Sequence, residues 1–176
     1  QGFVGTAVLE GLKEHYNIET FDIAKESTCK SLSELYKKSE VIFLCLPTPM
    51  DKEGSCHLGI IEPVLEELNS IGKKIIVVKS TIPPGTTEKW NKLYENLSIV
   101  FNPEFLTEAN SIEDFKNQNR IIIGGPRPAS TKVRRVFKKA FPRVAIIKTS
   151  STIAEMVKYF TNSFLATKVS FANEMY

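Results

Sequence analysis

The residues of this chain best suited to chemistry begin at its first turn, with Gly2-x-x-Gly5 at the start of a helical pattern. A dinucleotide fingerprint reads G-x-G-x-x-G, and Gly2 and Gly5 fit its second and third glycines. In that reading Gly2 lets the backbone approach a pyrophosphate, Gly5 lets the helix pack on its strand, and the helix N-terminus faces the phosphates. Because G-x-x-G also opens ordinary helices, the motif needs support. Asp22 supplies it, at the end of a predicted strand and close to the ~20-residue spacing of a ribose-binding acid. A carboxylate there accepts both ribose hydroxyls and repels a 2′-phosphate, so NAD is expected rather than NADP. The plainer alternative is a strand-end Asp that caps a turn. Lys25 slightly weakens the exclusion of NADP.

Three further segments each follow an apolar run directly. They read Leu46-Pro47-Thr48-Pro49, then Lys79-Ser80-Thr81-Ile82-Pro83-Pro84-Gly85-Thr86, then Asn102-Pro103-Glu104-Phe105-Leu106-Thr107-Glu108. Each carries small hydroxyls or carboxylates. Any one of them also reads as loop punctuation. Three in a row at one predicted edge point to a site. Lys158 and Asn162 lie four apart on a helical pattern and so share a face. Their neighbours Met156, Val157, Phe160, Phe164 and Leu165 are apolar. A lysine in such a stretch can stabilise an oxyanion. It can equally snorkel outward beside a surface asparagine, and spacing alone does not choose.

These groups need a scaffold that gathers strand ends. Helical patterns at 4–15, 31–38, 60–68, 86–93 and 129–141 alternate with strand patterns at 18–23, 40–46, 74–78, 97–101, 120–123 and 144–147. A loop and short helix fill the stretch before residue 120. Short connections imply a doubly wound α/β fold: a parallel sheet, helices on both faces and right-handed crossovers. Such sheets bind ligands outside the carboxyl ends of their strands. Thr152-Ile153-Ala154-Glu155 fits a capping box with Thr152 as N-cap. Nothing from there to Tyr176 breaks a helix, which would span ~36 Å at 1.5 Å per residue. That length suits a connector toward a second domain. The chain opens inside its glycine loop, so a first strand and first glycine are expected ahead of Gln1.

Composition narrows the function classes. The chain has 176 residues, 42% hydrophobic and 24% charged, with a net charge of +3. That suits a soluble globular protein and is too small an excess to argue for nucleic acid. The basic cluster Lys132, Arg134, Arg135, Lys138 and Lys139 has helical spacing and reads as a solvated face. Cys29, Cys45 and Cys56 form no C-x-x-C, and His15 and His57 form no ligand pattern, so no metal site is expected. No apolar run approaches the ~20 residues of a membrane span. A cytoplasmic location is expected.

Taken together, the segments resemble the UDP-glucose/GDP-mannose dehydrogenase family over essentially the whole chain. The matching strings are Gly2-Phe3-Val4-Gly5, Pro47-Thr48-Pro49, Lys79-Ser80-Thr81-Ile82-Pro83-Pro84-Gly85, Asn102-Pro103-Glu104-Phe105-Leu106-x-Glu108 and Ala154-Glu155-x-x-Lys158-x-x-x-Asn162-x-Phe164-Leu165-Ala166. The resemblance implies a Rossmann-like NAD-binding domain over 1–150 and the start of a long central helix over 151–176. The sugar-nucleotide-binding domain would lie beyond. It implies oxidation of a nucleotide sugar, UDP-glucose foremost, at C6 by two hydride transfers to NAD. Thr81 would hold the catalytic water. Glu104 would be the general base in thioester hydrolysis, and Lys158 and Asn162 would stabilise the oxyanion. Phe105 and Leu106 would touch the sugar nucleotide through their backbone. Gly2, Phe3, Val4, Gly5, Asp22, Leu46, Pro47, Thr48, Pro49, Ser80, Thr81 and Glu108 would line the NAD site. The family's nucleophilic cysteine sits in a Gly-rich loop, and none of the three cysteines here has that setting, so the nucleophile is expected outside this chain. Ser27 stands where the family often has a basic residue. A homodimer through the long helix is also implied.

Two other readings compete. A β-hydroxyacid-type dehydrogenase shares the glycine loop and the Lys-x-x-x-Asn helix, but is not expected to carry the Asn-Pro-Glu-Phe-Leu-x-Glu loop. A dinucleotide-binding or dimerising module without turnover is the third.

Overall fold

The structure, a computed structural model, describes residues 2–176. In chain order it runs α1 (Phe3–Leu12), α2 (Leu32–Lys38), β1 (Val41–Leu44), α3 (Ile61–Ile71), β2 (Lys74–Val78) and α4 (Thr86–Leu93). There follow β3 (Leu97–Phe101), α5 (Ser111–Lys116), β4 (Arg120–Gly124), α6 (Ala129–Ala140), β5 (Ala145–Thr149) and α7 (Ser151–Met175). The strands lie side by side in that same order in one sheet.

Runs such as Lys74-Ile75-Ile76-Val77-Val78 are β-branched and apolar, and successive side chains point to opposite faces. Ile76, Val78, Ile99 and Phe101 pack with residues of α3, α4 and α7. Val77, Val100, Ile121 and Ile123 pack with residues of α1, α5 and α6. Both faces are therefore covered, which is why the strands read as continuous apolar runs rather than alternating ones. Each aliphatic side chain buried this way contributes ~1.5–3 kcal/mol.

The sheet departs from the expected one in two places. Residues 18–23 form no strand. Their backbone pairs with the following loop instead: Cys29 N–H donates to Thr20 O at 2.9 Å, and Thr20 N–H donates to the Thr28 hydroxyl at 2.8 Å. A strand needs a ladder partner, and among the described residues none flanks the outer edge of β1. Nor is the sheet parallel throughout. β1–β2, β2–β3 and β4–β5 are parallel, but β3 meets β4 antiparallel, with Phe101 opposite Gly124. The chain between them has only the six-residue α5 as regular structure. The chain re-enters at the edge it left. Asn102 ties this seam, its Nδ2 donating to Ile122 O at 2.6 Å.

The expected long helix is present, and α7 has 25 residues. Its N-cap is Ser150, not Thr152. Ser150 has the extended backbone a cap requires, and its hydroxyl accepts from Ile153 N–H at 3.2 Å. Thr152 already lies inside the first turn. Gly124 lets α7 press onto β4, because a Cβ there would stand 2.6 Å from the Ala154 Cβ and 2.7 Å from Ser150 O. This contact aims the first turns of α7 at the carboxyl ends of β2 and β3.

Candidate active site

The loop after β3 and the second turn of α7 meet in one ionic assembly. Lys158 is 5% exposed. Its Nζ donates to Glu104 Oε1 at 2.7 Å and to the Glu104 carbonyl at 2.7 Å. The other carboxylate oxygen, Oε2, accepts from Leu106 N–H at 2.7 Å. The Phe105 ring lies below, its centroid 5.7 Å from the Lys158 Nζ and 5.2 Å from the Arg120 guanidinium. Removing two charges from water is expensive, and only close geometry with further hydrogen bonds offsets it. Here both requirements are met. Of the two readings of Lys158, the snorkelling one is excluded, because the ammonium points inward. Among the described residues it uses two of its three N–H donors, so one remains for an oxyanion.

Lys79, at the end of β2, is a second buried cation. It is 4% exposed. Its Nζ donates to Asn102 Oδ1 at 2.8 Å, so its partner is a neutral amide. Burial pulls its pKa down to about 8; the Cys45 thiol and Glu104 oppose the fall, and Lys158 adds to it. The same burial pushes the Cys45 thiol up to about 11. Lys79, Glu104, Phe105, Phe115 and Arg120 line a cavity of about 360 Å³. In the sequence Lys79 stands only as the first residue of the Lys79–Gly85 string. The signal it offered was a charge directly after four apolar strand residues, at the edge where ligands bind.

The loops after β1 and β2 are joined to each other. The Ser80 hydroxyl donates to Leu46 O at 2.6 Å and accepts from Leu46 N–H at 3.2 Å. The Thr48 hydroxyl donates to Thr81 O at 2.7 Å, and the Cys56 thiol reaches the same oxygen at 3.6 Å. Pro49 O accepts from His57 N–H, which folds the loop back. Thr48, Met50, Cys56, Thr81 and Tyr159 line a second cavity of about 220 Å³. Burial raises the pKa of Cys56, with smaller downward pulls from Thr48 and Tyr159, and burial likewise raises Tyr159. Cys56 and Tyr159 were not singled out from sequence. Their approach depends on the 50–56 turn and on α7, which no local pattern encodes.

The glycine-loop side is more open. Gly2 is the N-cap of α1 with extended backbone and no side-chain cap, and a Cβ there would meet nothing within 4 Å. Phe3 is 41% exposed, and Val4 is half-buried. An uncapped helix start with its N–H groups outward is a ready anion site, so these residues fit the pyrophosphate of NAD. Gly5 has a different standing from the one expected. A Cβ there would lie 3.7 Å from the Cys45 Cβ, an ordinary contact, so packing alone does not demand glycine. Asp22 Oδ1 accepts from Ala24 N–H at 2.8 Å and Lys25 N–H at 3.1 Å, which is the turn-capping role. Glu108 and Asn162 are exposed, and the Glu104–Lys158 assembly forms without them. Leu106 N–H, expected to face the substrate, is held by Glu104. Among the described residues no group of three or more His, Cys, Asp or Glu is arranged to hold a metal ion. No described helix is long and apolar enough to cross a membrane.

Comparison with known proteins bears on this geometry. The NAD-binding domain model of the UDP-glucose/GDP-mannose dehydrogenase family matches residues 10–141, and the family's central-domain model matches residues 152–176. The chain is 32% identical to UDP-glucose 6-dehydrogenase of Pseudomonas aeruginosa over 171 residues, 89% of this chain and 38% of that protein. It superposes on a UDP-glucose dehydrogenase from Pyrobaculum islandicum with a TM-score of 0.75 and 33% identity, covering 84% of this chain and 37% of that one. It superposes on a ternary complex of GDP-mannose dehydrogenase from Pseudomonas aeruginosa with a TM-score of 0.73 and 29% identity, covering 83% and 37%. The chain thus spans about a third of the length of the curated UDP-glucose 6-dehydrogenases it matches.

Proposed function

The chain belongs to the UDP-glucose/GDP-mannose dehydrogenase family, whose cofactor is NAD, and from that premise we propose that the protein it forms oxidises a nucleotide sugar, UDP-glucose foremost, at C6. The observation that carries this reading is the buried Lys158 held against Glu104, which shares a cavity with Lys79 at the start of the Thr81 loop. Oxidation of an alcohol builds negative charge on its oxygen, and a fixed cation in a dry site stabilises that charge. Lys158 has the donor for it. Bound NAD supplies the hydride acceptor. Gly2, the first turn of α1 and Asp22 are the residues that would hold it, with Leu46, Thr48, Ser80 and Thr81 on the side of the strand ends.

Oxidation to the carboxylate needs a second hydride transfer and a thioester hydrolysis. Glu104 orients or activates the water, with Thr81 as a second anchor. The nucleophilic thiol is not one of the three in this chain. A reactive cysteine needs a lowered pKa and access. Cys29 and Cys45 are raised chiefly by burial, and Cys56 is raised for the same reason. These raised values and the burial of Cys29 support a nucleophile from outside residues 1–176, as the family resemblance implies. The exposed apolar side chains of α7, among them Met156, Phe160, Phe164 and Leu165, support a homodimer through that helix.

The test is the yield of NADH from limiting UDP-glucose, measured with the full-length protein. Two NADH per sugar is the expected result. Absence of turnover on any nucleotide sugar would contradict the proposal.

A further inference from the structure

Glu155 is the fifth residue of α7, three residues before Lys158, and it is fully buried. It takes no part in the capping box that its spacing suggested. Its carboxylate instead accepts three hydrogen bonds from the start of α4. Gly85 N–H donates to Oε2 at 2.6 Å, and Thr87 donates to Oε1 through its N–H at 2.8 Å and its hydroxyl at 2.5 Å.

The reason for this arrangement lies in the preceding loop. Pro83 O accepts from Thr86 N–H at 3.1 Å, so residues 83–86 form a turn, and Gly85 enters α4 with φ of +90°, where a side chain is disfavoured. The N-cap of α4 is thus a residue with no side chain to cap it. The open donors of that helix start are satisfied from another element, α7. A carboxylate suits the place, because its two oxygens only accept and the helix start presents only donors.

The tie joins two elements that act on the same substrate. Gly85 is four residues after Thr81, and Glu155 is three before Lys158. Thr81 is held on one side by Thr48, and Lys158 on the other by Glu104. Tyr159 stands beside Cys56 at the wall of the smaller cavity, which Thr81 also lines. We infer that Glu155 is a positioning residue for the reaction: it locks the Thr81 loop to the turn of α7 that carries Lys158. This rests on the reading of Thr81 and Lys158 as partners on a nucleotide sugar.

The test uses three variants of the full-length protein, E155Q, E155D and E155A. Glutamine keeps the volume but turns one acceptor into a donor that faces the α4 donors. Aspartate keeps the charge and shortens the reach. E155Q is expected to lower kcat by on the order of 10–100-fold, since a misplacement of about 1 Å has that effect. KM for UDP-glucose should change far less, at temperatures where denaturation curves show the variant folded. E155D should recover more kcat than E155Q. Amide exchange at Gly85 and Thr87 should quicken in E155Q, and with it exchange in the Ser80–Ile82 segment. A folded E155Q with wild-type kcat would overturn the inference and leave Glu155 as a cap alone. If the parent protein turns over no nucleotide sugar, the functional reading falls, and amide exchange then decides the tie. Unchanged protection across Ser80–Thr87 in E155Q would overturn it.

Discussion

At the β3–α7 wall of the candidate site, the buried Lys158 is paired with the half-buried Glu104, and Glu155 ties α7 to α4. At the α1 wall, Gly2 faces open space and Asp22 closes its own turn. Both walls lie along the edge where β1, β2 and β3 end. The first is assembled from charges whose partners come from distant parts of the chain. The second is an outline of backbone around an uncapped helix start. The difference fits the roles proposed for the two walls. Charge that stabilises a reacting oxygen has to be fixed before the reaction, because reorganisation then would raise the barrier. A pyrophosphate brings its own charge and needs only N–H groups and room.

The strongest way to break this contrast is to strand a charge. Glu104→Ala leaves Lys158 buried without its carboxylate. The expected loss of stability is about 3–5 kcal/mol, read by urea denaturation. Adding Lys158→Met to that variant should restore part of the loss. A single-variant loss below about 1 kcal/mol would place the pair in water rather than in the protein.

Lys79 sharpens the contrast through pH. Its folded value is about 8 against an ordinary 10.5. Below pH 8 both folded and unfolded forms hold the proton, and the folded form carries a buried charge. As pH rises from 8 toward 10.5 the folded form loses its proton first. The unfolded form then binds more protons, so stability rises, by up to about 1.4 kcal/mol per pH unit. Cys45 acts in the other direction. Its folded value is about 11 against an ordinary 9.0, so above pH 9 the unfolded form ionises first and stability falls. The clear window is therefore pH 8–9. There, denaturation midpoints of the wild type should rise with pH, and those of Lys79→Met should not. A flat wild-type profile would contradict the buried placement of Lys79.

The smallest effect on the fold belongs to the open wall. Gly2→Ala should leave stability within about 0.5 kcal/mol of wild type, and Gly5→Ala, inside α1 with room for a methyl, should raise it by up to about 1 kcal/mol. Calorimetric titration with NAD should separate the two, because the Gly2→Ala methyl enters the space where a pyrophosphate would lie. Its affinity should fall. Equal NAD affinity in Gly2→Ala and wild type would remove Gly2 from the cofactor site.

Much of the scaffold was legible from local pattern. Lys74–Val78, Thr86–Leu93 and Leu97–Phe101 form as their periodicity requires, since each is a run whose burial is settled within the run itself. The loops and Lys158 were legible as types and spacings. What escaped depends on partners far away in sequence. Residues 18–23 have strand composition but no ladder neighbour among the described residues. The reversal between β3 and β4 depends on where an eighteen-residue connection re-enters, as the span from Asn102 to Asn119 shows. Glu155 was read as a local cap because a capping box is a four-residue pattern, whereas its real donors lie 68 and 70 residues earlier. Lys79 escaped because its meaning lies in Asn102, its partner 23 residues on, and in its burial.

The most direct measurement of the central claim is the kcat of Lys158→Met in the full-length protein, with NAD and UDP-glucose saturating. The wall is built before substrate binds, so the loss should fall on the chemical step. The expected drop is at least about 100-fold, the scale of removing one fixed donor to a developing oxyanion. A folded Lys158→Met with kcat within a few-fold of wild type would contradict it.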